Sequence, residues 1–199
     1  MKKSLLALIL AVALVAPAFA AKGDKSINAK LGLGVNNYLS TTYDGMPDGM
    51  GMGIKIEAPA ISLGAEFFYG VMDNLSVGAG INYGFKANTK EIEGEKGEVG
   101  VTNFYVAVKP EAKIESDIFS SIYLIGQIGG SSISMESNGE SRTADMGIYL
   151  GFGAGTVIKD NFIVELLISS SNGSMTEDGM SGDLQYTATT INIGYKFAL

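Results

Sequence analysis

Apolar and polar residues alternate along this chain with a period of two for stretch after stretch, which is the signature of β-strands that are greasy on one face only. The last stretch shows it most plainly: Ile191, Ile193, Tyr195, Phe197 and Leu199 occupy every second position, with Asn192, Gly194, Lys196 and Ala198 between them. A strand at the end of a chain exposes unpaired backbone groups unless another covers it. Closure of the last strand onto the first removes every edge.

Seven more strands are predicted on the same pattern: Ser26 to Leu39, Ile61 to Val71, Leu75 to Ala87, Thr102 to Ile114, Ser121 to Ser132, Met146 to Ile158 and Phe162 to Ser170, with Thr187 to Leu199 the eighth. Short turns, Met72-Asp73-Asn74, Glu115 to Ser120 and Lys159-Asp160-Asn161, follow the second, fourth and sixth strands; long polar connections follow the odd ones, among them Asn88 to Gly100, Ser134 to Asp145 and Ser171 to Asp183. All long connections therefore lie at one end. Two registers stay open. Ile54-Lys55-Ile56-Glu57 alternates out of phase with the strand beginning at Ile61, so Pro59 and Ala60 mark either a bulge or a fresh strand. Between 121 and 132, Ile122, Leu124 and Ile128 compete with Tyr123 and Ile125 for one face. Pro110 removes a ladder donor and is expected near a strand end or at a bulge.

The composition of the non-apolar face decides what the strands enclose. It is mostly Gly, Ser and Asn with isolated charges, whereas a soluble barrel's exterior would be rich in Lys and Glu, as the connections of this chain are. The expected fold is therefore all-β: a transmembrane, antiparallel, eight-stranded up-and-down β-barrel with its apolar face toward lipid. The aromatics of that face fall in two bands, Phe67, Tyr69, Phe162, Tyr195 and Phe197 near the short turns and Tyr83, Phe85 and Phe104 near the long connections, as bilayer interfaces select. On the inner face, Lys30, Glu66, Lys86, Lys109, Glu111, Lys113, Glu165 and Lys196 mix both signs, and a buried network of paired charges is expected of them. Counting from the short-turn end brings Lys196 close to Glu165 and Lys30, with Glu66 beyond.

The N-terminus adds an address. Lys2 and Lys3, an apolar run from Leu5 to Val15 and Ala18-Phe19-Ala20 form a secretory signal over residues 1 to 20, leaving a single barrel domain over 21 to 199. Without Lys2 and Lys3, 12 basic side chains face 21 acidic ones, a formal charge of −9 that argues against nucleic acid as a partner. The chain has no Cys and no His, which excludes zinc-thiolate sites and any Ser-His device. No cofactor or metal site is expected. The methionines of the long connections, Met46, Met50, Met52, Met135, Met175 and Met180, read as apolar contact residues in preference to a soft-metal site.

The signal, the eight alternating strands, the long-loop and short-turn asymmetry and the ending I-N-I-G-Y-K-F-A-L resemble the small outer-membrane β-barrel superfamily of Gram-negative bacteria, which includes the outer-membrane protein A transmembrane domain, outer-membrane protein X and opacity-type proteins. The family usually ends in an aromatic residue; Leu199 stands there, with Phe197 and Tyr195 on the same face. The resemblance implies an outer-membrane location, contact with its lipid, and recognition of the C-terminal strand by the barrel assembly machinery. Enzymes of that superfamily lean on histidine, which this chain lacks, so the expected role is non-enzymatic: structural or surface-interaction, adhesin-like, through long extracellular loops that bind an unidentified ligand. The alternative is a porin-like channel for small solutes or protons.

Overall fold

The computed structural model describes residues 23–43, 52–57, 59–89, 97–114, 116–137, 139–177 and 180–199. The expected signal at 1 to 20, Met46, Met50 and the charged stretch 90 to 96 lie outside the described residues. In chain order the strands are β1 (Lys25–Tyr43), β2 (Met52–Ile56), β3 (Ala60–Met72), β4 (Leu75–Asn88), β5 (Gly97–Lys113), β6 (Phe119–Ser137), β7 (Glu140–Thr143), β8 (Asp145–Ile158), β9 (Phe162–Glu177) and β10 (Met180–Ala198).

Eight of them form a ring in the order β10-β9-β8-β6-β5-β4-β3-β1, and β10 closes antiparallel on β1 from Ser26↔Ala198 to Tyr43↔Gly182. Closure is what a strand-built span requires, because hydrocarbon offers no partner to an unpaired N–H or C=O. The two short strands extend their neighbours: β2 pairs β1 above β3, and β7 pairs β6 above β8.

Alternation sets inside against outside. On β8, Leu150 and Phe152 are 51% and 62% exposed while Tyr149 beside them is 1% exposed. In β6, Tyr123, Ile125 and Gln127 face inward and are buried, whereas Ile122, Leu124 and Ile128 face outward. The junction before β3 is the start of a fresh strand: β2 ends at Ile56, opposite Asn37, and β3 begins at Ala60, opposite Gly34. Pro110 lies inside β5, and there the β5–β6 ladder skips from Val108 to Glu111.

At the long-loop end the strands run further than their hydrophobic pattern predicts. Most of 171 to 183, expected as a loop, is the tip of the β9–β10 hairpin, and β7 occupies part of 134 to 145. Ser, Thr and Gly carry little apolar period, yet the backbone ladders continue through them. Inside this extension Leu39, Ile56, Val99, Val101, Ile133, Ala144 and Leu184 form an apolar cap, with Met135 and Met175 packed against it. A second buried cluster, including Phe68, Tyr123, Ile125, Tyr149, Val157 and Ile163, fills the lumen nearer the short turns.

Candidate functional site: the charged layer of the lumen

Three charges from three strands meet inside the barrel. Lys30 Nζ on β1 lies 2.8 Å from Glu66 Oε2 on β3 and 2.8 Å from Glu165 Oε2 on β9, with Glu165 Oε1 at 3.0 Å. All three residues are buried, Glu165 to 1% exposure. One ammonium cannot neutralise two carboxylates, so the layer carries an excess negative charge in a confined space. Five neutral donors offset it. Tyr105 Oη (2.9 Å), Gln127 Nε2 (3.2 Å) and Asn28 Nδ2 (3.3 Å) donate to Glu66, and Tyr123 Oη (3.0 Å) and Asn192 Nδ2 (2.9 Å) donate to Glu165. Tyr149 Oη donates to Gln127 Oε1 at 2.6 Å and extends the network by one strand. The lumen is thereby bridged from wall to wall by hydrogen-bonded side chains.

Glycine makes the room. Gly80 pairs Tyr105 across β4 and β5, and a Cβ there would come 2.8 Å from the tyrosine ring and 2.9 Å from Glu66 Cγ. Gly155 pairs Tyr123 across β8 and β6, where a Cβ would meet the ring at 2.5 Å. Each tyrosine leans over a glycine of the adjacent strand and reaches the carboxylates beyond it. These tyrosines, with Gln127 and Asn192, are the residues that a search for charges misses; the available signal is an inward-phase Gly beside an inward-phase Tyr.

Of the charges read as lumen residues, the structure brings together Lys30, Glu66 and Glu165. Lys196 does not join them. Antiparallel register sets Asn192, not Lys196, opposite Glu165, and Lys196 opposite Asn28, so the stagger of the closing strands carries Lys196 toward the short-turn end. There it lines an open vestibule of about 300 Å³ with Lys109, Glu111 and Lys113. Lys109 and Glu111 form their own pair at 3.1 Å, Ser121 Oγ donates to Glu111, and the Lys109 ammonium lies 4.8 Å from the Phe68 ring centre and 5.0 Å from that of Tyr123.

Lys86 leaves the lumen altogether. The β4–β5 register shifts by one residue between Gly84 and Ala87, which turns Ala87 inward and Lys86 outward, and Lys86 pairs with Glu136 of β6 at the long-loop end. A one-residue slip exchanges the faces of a strand. Among the described residues no three His, Cys, Asp or Glu side chains gather as a metal site would need.

An eight-strand ring, greasy outside and bridged by charge inside, agrees with what known sequences show. The family model described as outer membrane protein beta-barrel domain matches residues 5–197. The chain belongs to this outer-membrane β-barrel family. It is accordingly an outer-membrane protein of Gram-negative bacteria, with its strands in contact with lipid. The crystal structure of Neisserial surface protein A is similar over 87% of this chain and 97% of its own, at 10% identity and a TM-score of 0.53. Ail, the attachment invasion locus protein of Yersinia pestis, solved with the heparin analogue sucrose octasulfate, matches over 88% and 99% at 13% identity and TM-score 0.44. Outer membrane protein OprG from Pseudomonas aeruginosa matches over 88% and 96% at 12% identity and TM-score 0.45. A search of curated proteins finds no match.

In this outer-membrane barrel, Phe67, Tyr83, Phe85, Phe162, Tyr195 and Phe197 are exposed on the lipid face. Five of them touch in pairs: Tyr83 with Phe85 at 5.2 Å between ring centres, Phe162 with Tyr195 at 5.4 Å and Tyr195 with Phe197 at 4.8 Å. Phe104 is half-buried, its ring lying over Gly130 of β6, where a Cβ would meet it at 2.5 Å. Tyr69 departs from the band. It is 4% exposed, and a Cβ placed at Gly23, just before β1, would come 3.1 Å from its ring.

Proposed function

We propose that this outer-membrane barrel is a non-enzymatic structural and surface-interaction protein, with its lumen filled by its own side chains and its long-loop end facing outward from the cell. The observation that carries the reading is the Glu66–Lys30–Glu165 triad of β3, β1 and β9 together with Tyr105 on β5 and Gln127 and Tyr123 on β6, whose hydrogen bonds to the two carboxylates cross the lumen to the opposite wall. An eight-stranded barrel is only wide enough for side chains to fill it, and paired buried charges resist the passage of a hydrated ion. The length of the strands supports the second half of the proposal: β10 has 19 residues, where a tilted membrane span needs about 9–11. The surplus lies at the long-loop end and forms a rigid β platform for an extracellular ligand. At the other end the C-terminal strand, with Tyr195 and Phe197 on its lipid face, is the element offered to the assembly machinery.

A planar-bilayer recording on refolded protein tests the closed lumen. Absence of stable current steps is expected, and steps of porin size overturn the reading. The vestibule of about 300 Å³ behind Lys109 favours a second reading, passage of small solutes or protons. Flickering conductance that rises in Lys30→Met would support that alternative.

A further inference from the structure

The vestibule at the short-turn end is neutral in sum but not in depth. Of the six charged side chains that line it, Lys109 is buried and Glu111 and Lys196 are half-buried, whereas Asp24, Asp73 and Lys113 are exposed at its mouth. Two ammoniums and one carboxylate therefore face the inner part. That carboxylate is already engaged, since Lys109 pairs with Glu111 at 3.1 Å and Ser121 Oγ donates to it. The Lys196 ammonium has no carboxylate within ion-pair distance among the described residues. Hydroxyls add to the free donors. Ser26 on β1 and Ser76 on β4 line the same space. Ser26 shares the inward phase of Asn28 and Lys30 and is 6% exposed, yet its Oγ bonds to no described residue. A hydroxyl buried without a partner is costly unless something in the cavity accepts from it.

The arrangement of these donors selects the ligand. In the ring of eight, β10 stands first and β5 fifth, so Lys196 approaches from the wall opposite Lys109 and Lys113. Ser26 lies on the strand beside β10 and Ser76 on the strand beside β5. A cation would meet ammoniums from both sides and no free acceptor between them. A carboxylate presents its two oxygens along one edge and engages one wall. A phosphate presents oxygens in every direction, and lysine binds it as a point charge. The aspartates at the mouth are solvated, where salt screens them. Deeper entry is opposed: Lys196 sits opposite Asn28, and two residues further along β1 the layer around Lys30 carries excess negative charge.

We infer that the vestibule is a binding site for one phosphate group, free or as the monoester of a small molecule, held between Lys196 and the β5 lysines with Ser26 and Ser76 donating to it. The inference goes beyond the surface role proposed for the opposite end, and it requires nothing to cross the bridged lumen.

Titration of the refolded chain with inorganic phosphate tests it, in an uncharged glycoside detergent and with chloride holding the ionic strength constant. The backbone amide resonances of Ser26, Lys109 and Lys196 should shift and saturate together. Lys196→Met should weaken phosphate about tenfold or more, as loss of one charge-assisted hydrogen bond does, while Lys86→Gln at the long-loop end should bind as the unaltered chain does. If Lys196→Met fails to refold, Ser26→Ala serves in its place and should weaken phosphate severalfold. Glycerol phosphate separates the two sources: tighter binding than inorganic phosphate assigns the site to a monoester, and equal or weaker binding assigns it to the free ion. No saturation with either probe, acetate saturating as readily as phosphate, or an affinity unchanged in Lys196→Met and Ser26→Ala overturns the inference.

Discussion

The ammonium of Lys30 reaches Glu165, 2.8 Å away, by passing over Gly194 on the intervening strand β10, where a Cβ would come 3.0 Å from Lys30 Cγ. The closing seam is thus fastened twice, by the β1–β10 ladder and by an ion pair that skips β10 and ties β1 to β9.

Lys30 is the shared member of the charged layer, and its loss should outweigh loss of either carboxylate. Lys30→Met leaves Glu66 and Glu165 facing each other without a cation, and breaking a buried pair from one side costs about 3–5 kcal/mol. Glu165→Gln keeps the Lys30–Glu66 contact and removes the excess negative charge, so its urea midpoint should fall less. Lys196→Met, in the vestibule, should fall least of the three. Adding Glu66→Gln and Glu165→Gln to Lys30→Met should recover part of the loss, because the stranded charges are then gone. Equal midpoints for Lys30→Met and Lys196→Met would show that the triad does not act as a unit.

The alternation of the strands makes the ring, its inside and its outside legible in the sequence, because a period of two is all that a half-lipid, half-lumen strand requires. Heights along the barrel are not legible in the same way. Counting residues from the turns sets Lys196 beside Glu165, but strands in a closed barrel are staggered, and it is Asn192 that faces Glu165. Bulges are equally hidden: the slips at Gly34/Asn36 and Gly84/Ala87 reverse the faces of β1 and β4, which brings Asn37 in and turns Lys86 out. No residue at either slip announces it as plainly as Pro59 announces the β2–β3 junction.

Gly194→Ala should disturb the layer from the backbone side. The added methyl would meet Ala29 O at 2.6 Å as well as Lys30, and overpacking of this kind costs about 1–3 kcal/mol. Gly126→Ala is the control, since a Cβ there meets nothing within 4 Å. Denaturant midpoints of the two variants refolded in vesicles check the contrast, and equal stability would refute the close approach at Gly194.

The Lys86–Glu136 pair should matter little to folding. Both side chains are partly solvated, at 41% and 34% exposure, and exposed ion pairs contribute weakly and are screened by salt. Lys86→Gln is expected to leave the midpoint unchanged within error, at low and high salt alike. A loss comparable to that of Lys30→Met would place Lys86 back inside the lumen.

Leu150 tests which face meets lipid. It is 51% exposed, paired with Ile128 on β6 and Ser170 on β9, and lies near the middle of β8, away from both aromatic bands. An arginine there must bury its charge in hydrocarbon or drag headgroups inward, at a cost of about 2–4 kcal/mol near a barrel midplane. The neighbouring Tyr149 points the other way, and Tyr149→Phe removes the hydrogen bond to Gln127, worth about 1 kcal/mol. Leu150→Arg should therefore lower the denaturant midpoint in lipid vesicles more than Tyr149→Phe does. The arginine's cost should also shrink in short-chain lipids, whose thinner core brings residue 150 closer to water. If Leu150→Arg folds into vesicles as well as the unaltered chain, the apolar face does not contact lipid and the barrel is turned inside out.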